Sequence, residues 1–481
     1  MKYLNKYTVV VIFSLIIVSM LFFTIYTPIE ENCNKKIGFF SPNYLDSFVS
    51  QVNFSMINLY PVHDKKKGSL RINLDSVKKI FDYVGNYNHR VHLNLGSVIT
   101  DLKEPEAMNT YYENDQGTKL TKVFNIASSH KIRKIVSHEE IELRLSGLPE
   151  MLKIYYGKVG TIFIADEPFL NGISNNEINR AVRTIRKFFK KNGVDGLKFG
   201  TIFAAGLFDS DFATHINRQM MKYVENIDKY YKEHKSLLSQ TGIKAQGFKK
   251  WIDIMNNSRL TTYDSANNFY TEGGIPTELD VVSFDSYLST MLFDRIHEHT
   301  LHYFSVSLGC ESCRQFENIT LSELRKKLSF IQDGPMNLKK DNYENDKALL
   351  DAIFECRMAG NRILLERALQ ALPKQPRLML IGESSANGVL EFDSEGRIEP
   401  EQPWPLVEKC ILDEVKRSYQ YYIESCGWFN EGLMYFLYPD SLDVSINQFI
   451  RGAEGAKSVT DFIYSHVNMK EKPLAQPHNA L

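Results

Sequence analysis

Eight short apolar runs punctuate the chain, at 36–41 (KIGFFS), 56–62 (MINLYPV), 90–99 (RVHLNLGSVI), 160–165 (GTIFIA), 197–204 (LKFGTIFA), 280–288 (DVVSFDSYL), 377–381 (RLMLI) and 432–438 (GLMYFLY). They are rich in β-branched and aromatic residues and nearly continuous in apolar character, as expected of parallel strands covered on both faces. Most of the intervals between them carry a helical period. Leu74, Val77, Ile80, Phe81 and Val84 recur at about 3.6 residues behind Asn73, Asp75 and Ser76, which predicts a helix over 73–84. Stretches 140–156, 176–190, 213–231, 345–369 and 406–423 read the same way, and 442–464 more weakly. Asn192-Gly193 supplies a left-handed stop for the helix before it.

Strand and helix alternating eight times predict an α/β fold, a closed (β/α)8 barrel from about residue 36 to about residue 466. An open doubly wound sheet would carry a glycine-rich first turn, and SPNYLD after the first run is not one. A bare barrel needs about 250 residues, which leaves roughly 180 for elaboration. The excess falls at about 100–137, 230–279 and 289–345. Insertions after the third and sixth strands emerge at the carboxyl face, where barrel chemistry sits.

Residues 8–26 (TVVVIFSLIIVSMLFFTIY) are uncharged and long enough for one helix across about 30 Å of hydrocarbon. Lys2 and Lys6 precede them and Glu30 and Glu31 follow, so the amino terminus is expected in the cytoplasm and the rest on the exported side. The organisation expected is a stub and signal anchor over 1–29 and one barrel over 30–481. Secretion after signal cleavage is the alternative, though Phe23, Ile25 and Tyr26 stand where small residues would mark a cleavage site.

Lys+Arg number 57 against 58 Asp+Glu, so there is no basic excess to suggest a nucleic-acid partner. No phosphate-binding glycine loop suggests a nucleotide. Six cysteines in 481 residues are too few for a disulfide scaffold. The spacing of Cys310 and Cys313 predicts a local staple, while Cys356, Cys410 and Cys426 read as buried thiols or a long-range pair.

Candidate chemistry lies where acids follow strands. The fourth run leads straight into Asp166-Glu167-Pro168, and the seventh, through Gly382, into Glu383-Ser384-Ser385. Strands four and seven stand three apart around a ring of eight, so their tops face each other across the mouth. Two carboxyls about 5–5.5 Å apart can protonate a leaving glycosidic oxygen and attack the anomeric carbon.

In these residues the chain resembles the retaining glycoside hydrolases of the large (β/α)8 clan, which includes cellulases, β-galactosidases and β-xylosidases. The resemblance implies a carbohydrate substrate, Glu167 as acid/base, Glu383 as nucleophile and no cofactor. It also implies that Tyr287, beside Asp285 at the end of strand six, orients the nucleophile. Tyr435, Phe436 and Tyr438 could stack on a sugar face, and His92, Asn94, Tyr60 and His63 are candidate hydroxyl binders. The clan carries Asn before its acid/base, whereas this chain carries Asp166, which accepts hydrogen bonds and donates only when protonated. That departure points to an amino or N-acyl sugar.

Two rival readings stand beside this one. A non-catalytic polysaccharide-binding barrel of an envelope or capsule system would need neither glutamate. A metal-dependent barrel hydrolase would need ligands, and His297, His299 and His302 fall several residues past strand six, where a solvated loop is expected; no metal is assigned.

Overall fold

The computed structural model of the chain describes residues 35–467 except 43–44, 65–67, 103–132, 170, 205, 217, 219–261, 264–268, 271, 288–299, 320–339, 386–403, 426 and 444–447. The proposed anchor at 8–26 lies outside the described residues, as do Cys33, Cys426, His297 and His299. Among the described residues no helix is long and apolar enough to cross a membrane.

Eight parallel strands close into a barrel: β1 (Ile37–Phe40), β2 (Phe54–Asn58), β3 (Arg90–Asn94), β4 (Val159–Asp166), β5 (Lys198–Phe203), β6 (Val281–Ser286), β7 (Arg377–Glu383) and β8 (Gly432–Phe436). Each pairs with its sequence neighbours, and β1 seals against β8 through Ile37–Leu433, Gly38–Met434 and Phe39–Tyr435. Because side chains alternate along a strand, one set points inward. Phe40, Phe54, Met56, Phe163, Ile202, Val281, Met379, Ile381 and Met434 pack together and fill the barrel. The alternate residues, such as Ile57, Leu93, Ile162, Phe199, Leu380 and Leu433, pack outward in a second apolar layer that includes residues of the surrounding helices.

The helices include α1 (Leu74–Val84), α2 (His138–Arg144), α3 (Leu148–Ile154), α4 (Asn175–Lys191), α5 (Lys340–Gln370), α6 (Trp404–Glu424) and α7 (Lys457–His466). Asn73 caps α1, its side chain accepting from the Ser76 amide at 3.2 Å. Ser174 and Glu177 form a capping box on α4, which buries Ile178, Ala181, Val182, Ile185 and Phe189. Gly193, at φ 76°, follows its end as expected.

Several expectations need correcting. The second strand spans 54–58, two to four residues earlier than the run 56–62, because Pro61–Asp64 pairs with Ser69–Ile72 in a separate hairpin. The third run stops being a strand at Asn94, whose side-chain oxygen accepts from the Gly96 amide at 3.0 Å and starts a single helical turn, Gly96–Ile99. The stretch 140–156 breaks into α2 and α3 at Gly147, whose φ of 84° suits glycine. The stretch 442–464 opens with an antiparallel pair, Ser441–Asp443 with Gln448–Ile450, and becomes helical only at Lys457. Cys313 is bonded to Cys356, 43 residues away, and Cys310 is a buried free thiol, so the local staple is not the pairing found.

Candidate active site at the barrel mouth

Continuing the inward alternation upward builds the site. Above Phe54 and Met56 the next inward position on β2 is Asn58; above His92 on β3 it is Asn94. Above Val281 and Ser283 it is Asp285, above Met379 and Ile381 it is Glu383, and above Met434 it is Phe436. The inward face thus changes from apolar to polar at the carboxyl end, where water or a ligand can reach it.

Strand β4 departs from this regular pattern. Phe163 lies opposite Gly200 but Asp166 opposite Ile202, so three residues of β4 run against two of β5. This one-residue bulge re-aims the end of the strand. Glu167 follows at φ 45°, a left-handed conformation that a non-glycine residue adopts at a cost of about 1–3 kcal/mol. The surroundings hold it there. Its amide donates to the Ile202 carbonyl at 2.9 Å, and the Asn171 side-chain amide donates to the carbonyls of Asp166 and Glu167 at 3.1 and 3.0 Å.

Tyr287, half-buried just beyond β6, feels the charges of the carboxylates at the ends of β4, β6 and β7. Burial holds its hydroxyl pKa well above the usual phenol value, and the charges of Asp285, Asp166, Glu167 and Glu383 raise it further. Tyr287 is therefore a protonated donor amid four carboxyls brought from β4, β6 and β7. Glu383 is fully buried and Asp285 nearly so. Asp166 exposes part of its surface at the end of its bulged strand, yet its carboxyl is crowded by protein; desolvation, then the neighbouring charge of Asp285, pushes it up to about 7. The Tyr287 ring lies 5.4 Å from that of Phe436, which stacks on Phe40 at 5.4 Å.

The remaining candidates divide. Asn94 reaches the mouth, but its amide serves the protein, donating to Asn58 Oδ1 at 2.9 Å. Asn58 Nδ2 lies 3.4 Å from the exposed Tyr60 hydroxyl. His63 is exposed on the following hairpin. His92 is not a sugar binder. It is buried between Phe54 and Phe163, where its Nδ1 accepts from the Thr161 amide at 2.7 Å, and desolvation lowers its pKa to about 3. The ring occupies a second bulge, where a Cβ on Gly160 would come within 2.7 Å of Nδ1. Tyr435 points outward and donates to the Val415 carbonyl on α6 at 3.0 Å. Tyr438 is buried against Phe48, at 4.1 Å between rings, and Phe39. Neither faces the mouth: Tyr435 alternates with the inward Phe436, and Tyr438, past the end of β8, packs in the outer apolar layer.

Sequence reasoning missed Asn58, hidden by the misplaced second strand; the alternation Phe54, Met56, Asn58 was the available signal. The far end of the barrel carries a groove of about 330 Å³ lined by Arg186, Phe189, Lys198, Asp280 and Lys374. Asp280 there is paired with Arg186 at 2.9 Å and Lys374 at 2.7 Å, so the groove reads as a structural ion cluster. Among the described residues no group of three His, Cys, Asp or Glu is arranged to hold a metal.

No family model and no curated protein matches the chain. Solved structures resembling it include a GH113 β-1,4-mannanase, at 10% identity and TM-score 0.35, covering 90% of this chain and 99% of that one. A family 5 glycoside hydrolase from Prevotella bryantii B14 follows at 9% identity and TM-score 0.39, covering 91% and 96%. A family 1 β-glucosidase from Thermotoga maritima stands at 10% and 0.36, covering 86% and 83%. These likenesses are too slight to carry a substrate or a mechanism, and the mouth stands on the chain's own geometry.

Proposed function

We propose that the chain is a glycoside hydrolase acting on an oligo- or polysaccharide by double displacement, with Glu383 as nucleophile and Glu167 as acid/base. The observation carrying this reading is that Glu167, at the bulged end of β4, and Glu383, at the end of β7, stand at the same carboxyl end of a closed barrel, with the half-buried Tyr287 beside them. In the first step Glu383 attacks the anomeric carbon while Glu167 gives its proton to the departing oxygen. In the second, Glu167 takes a proton from water as that water displaces Glu383. Tyr287 donates toward the negative charge of the resting carboxylates and keeps a nucleophile buried among acids in place. Phe436 and Phe40 offer an apolar wall for a sugar ring.

The test is hydrolysis of a panel of aryl glycosides by Glu167→Gln and Glu383→Gln. Each change should lower turnover by about 10²–10⁴-fold or more. Glu167→Gln should recover most on dinitrophenyl glycosides, whose leaving group needs no proton. Parent rates in either variant would remove the assignment, and glycan binding without turnover in the parent would favour a binding protein. The anomer released first, read by proton NMR, decides between retention and inversion. We also propose that residues 8–26 tether the barrel to the outer face of a membrane. Recovery of the full chain in the membrane fraction, and of 30–481 as a soluble protein, would support this; a trimmed, freely secreted chain would refute it.

A further inference from the structure

The loop between β6 and α5 holds a chemistry that the sugar site does not use. Cys310, Cys313 and Cys356 gather at one place. Cys313 and Cys356 are bonded and fully buried, while Cys310 is free and 5% exposed. Cys310 caps a short 3-10 helix, Glu311–Phe316, and the Cys313 amide donates to the Cys310 carbonyl at 3.0 Å. Such a turn brings the two Cα atoms within about 7 Å, overlapping the roughly 4.4–6.8 Å that a disulfide spans. The Cys310 thiol is buried beside this turn, and desolvation raises its pKa, so it rests protonated at neutral pH.

The partner cysteine lies on the turn of α5 that touches the candidate site. Next to Cys356, the buried Arg357 donates from Nη1 to the Tyr287 carbonyl at 2.9 Å. Met358 follows, its sulfur accepting from the Ser286 hydroxyl at 3.3 Å. Three consecutive residues therefore join the disulfide to the carboxyl end of β6.

We propose that these cysteines form a thiol–disulfide exchange site that can release this turn of α5 from its covalent tie. The Cys310 thiol loses its proton to solvent and its thiolate attacks Cys313 Sγ. The Cys310–Cys313 bond forms, the Cys313–Cys356 bond breaks, and Cys356 leaves as a thiolate that takes up a proton. No net oxidation occurs, so no external oxidant or reductant is consumed. Exchange quickens as pH rises, because the thiolate is the nucleophile. The reaction itself does not depend on the glycosidase reading; only its effect on turnover, through Tyr287, rests on that reading.

Peptide mapping tests it. The full chain is held at pH 7 to 9 without reductant, quenched in acid and alkylated with N-ethylmaleimide. The tethered form yields tryptic peptides 296–314 and 348–357 cross-linked. The exchanged form yields 348–357 alkylated on Cys356, and 296–314 about 2 Da lighter than its dithiol. Alkylated Cys356 should accumulate with time and pH, several-fold above the Cys310→Ser background. In Cys356→Ser, oxidised glutathione should drive the Cys310–Cys313 bond. Hydrogen exchange over 286–287 should be faster in Cys356→Ser than in Cys310→Ser. Cys356 remaining quantitatively cross-linked in the parent, or no Cys310–Cys313 bond in Cys356→Ser, overturns the proposal even if the enzyme hydrolyses glycosides normally.

Discussion

Replacing Asp166 with asparagine tests how the mouth handles a proton. The carboxyl shares its surroundings with Asp285, and its pKa is pushed up to about 7 by desolvation and that neighbouring charge. The pair therefore titrates as a unit. With an apparent value near 7, Asp166 is about one-tenth ionised at pH 6 and about nine-tenths at pH 8. Its neutral form carries an O–H and can donate to a sugar oxygen; its anion can only accept. If the donor form is the useful one, kcat/KM should fall about tenfold per unit above pH 7. A carboxamide at this position would donate at every pH, so Asp166→Asn should keep its activity to pH 8 or beyond. The assay is kcat/KM on an aryl glycoside from pH 5 to 9. An identical alkaline limb in parent and variant would assign that limb to another group, such as Glu167, and refute the reasoning. Stability supplies a second sign check. The folded state keeps a proton up to about pH 7 that the unfolded chain releases near 3.8, so Asp166 costs stability increasingly between those values and fully above them. Asp166→Asn should accordingly raise the thermal midpoint most above pH 7.

Two further outcomes follow from the barrel interior. His92 refuses a proton until about pH 3 when folded but accepts one near 6.5 when unfolded. It should therefore lower stability by about 1.4 kcal/mol per pH unit below 6.5, or about 2 kcal/mol by pH 5. Urea titrations should show that part of the slope missing in His92→Asn, and equal slopes would show that the ring is not shielded as described. On β8, Phe436→Ala should raise KM several-fold with modest loss of stability, whereas Tyr435→Phe should cost about 1 kcal/mol and leave kinetics unchanged. A kinetic defect in Tyr435→Phe would contradict its outward position.

The barrel was legible because its period is simple. Runs such as GTIFIA and RLMLI are apolar on both faces, and the alternation of strand with helix leaves few architectures. The positions of Glu167 and Glu383 at the carboxyl ends of β4 and β7 were legible for the same reason, both acids following such runs. What escaped was local geometry. The run MINLYPV leaves out Phe54, so the alternation Phe54, Met56, Asn58 that marks the inward face was overlooked. The two bulges in β4 depend on pairing with β3 and β5, which no single segment encodes. The inward or outward sense of Tyr435 and Phe436 depends on a register that shifts by one residue with the strand boundary. His92 looked like a ligand because a buried acceptor for a main-chain amide and a binder of hydroxyls have the same composition.

At the end of the barrel remote from the mouth, Glu431 sits between Lys198 at 2.8 Å and Arg377 at 2.9 Å, fastening the starts of β5, β7 and β8. Burial alone would lift its pKa, yet these cations outweigh it and bring the carboxyl below its ordinary value. Closure of the cylinder is thereby secured by groups that no ligand at the opposite rim needs to touch. A library randomised at Asn58, Asn94, Asp166 and Phe436 can explore new specificities while the fastening beneath stays intact, which makes this chain a practical starting point for redesign.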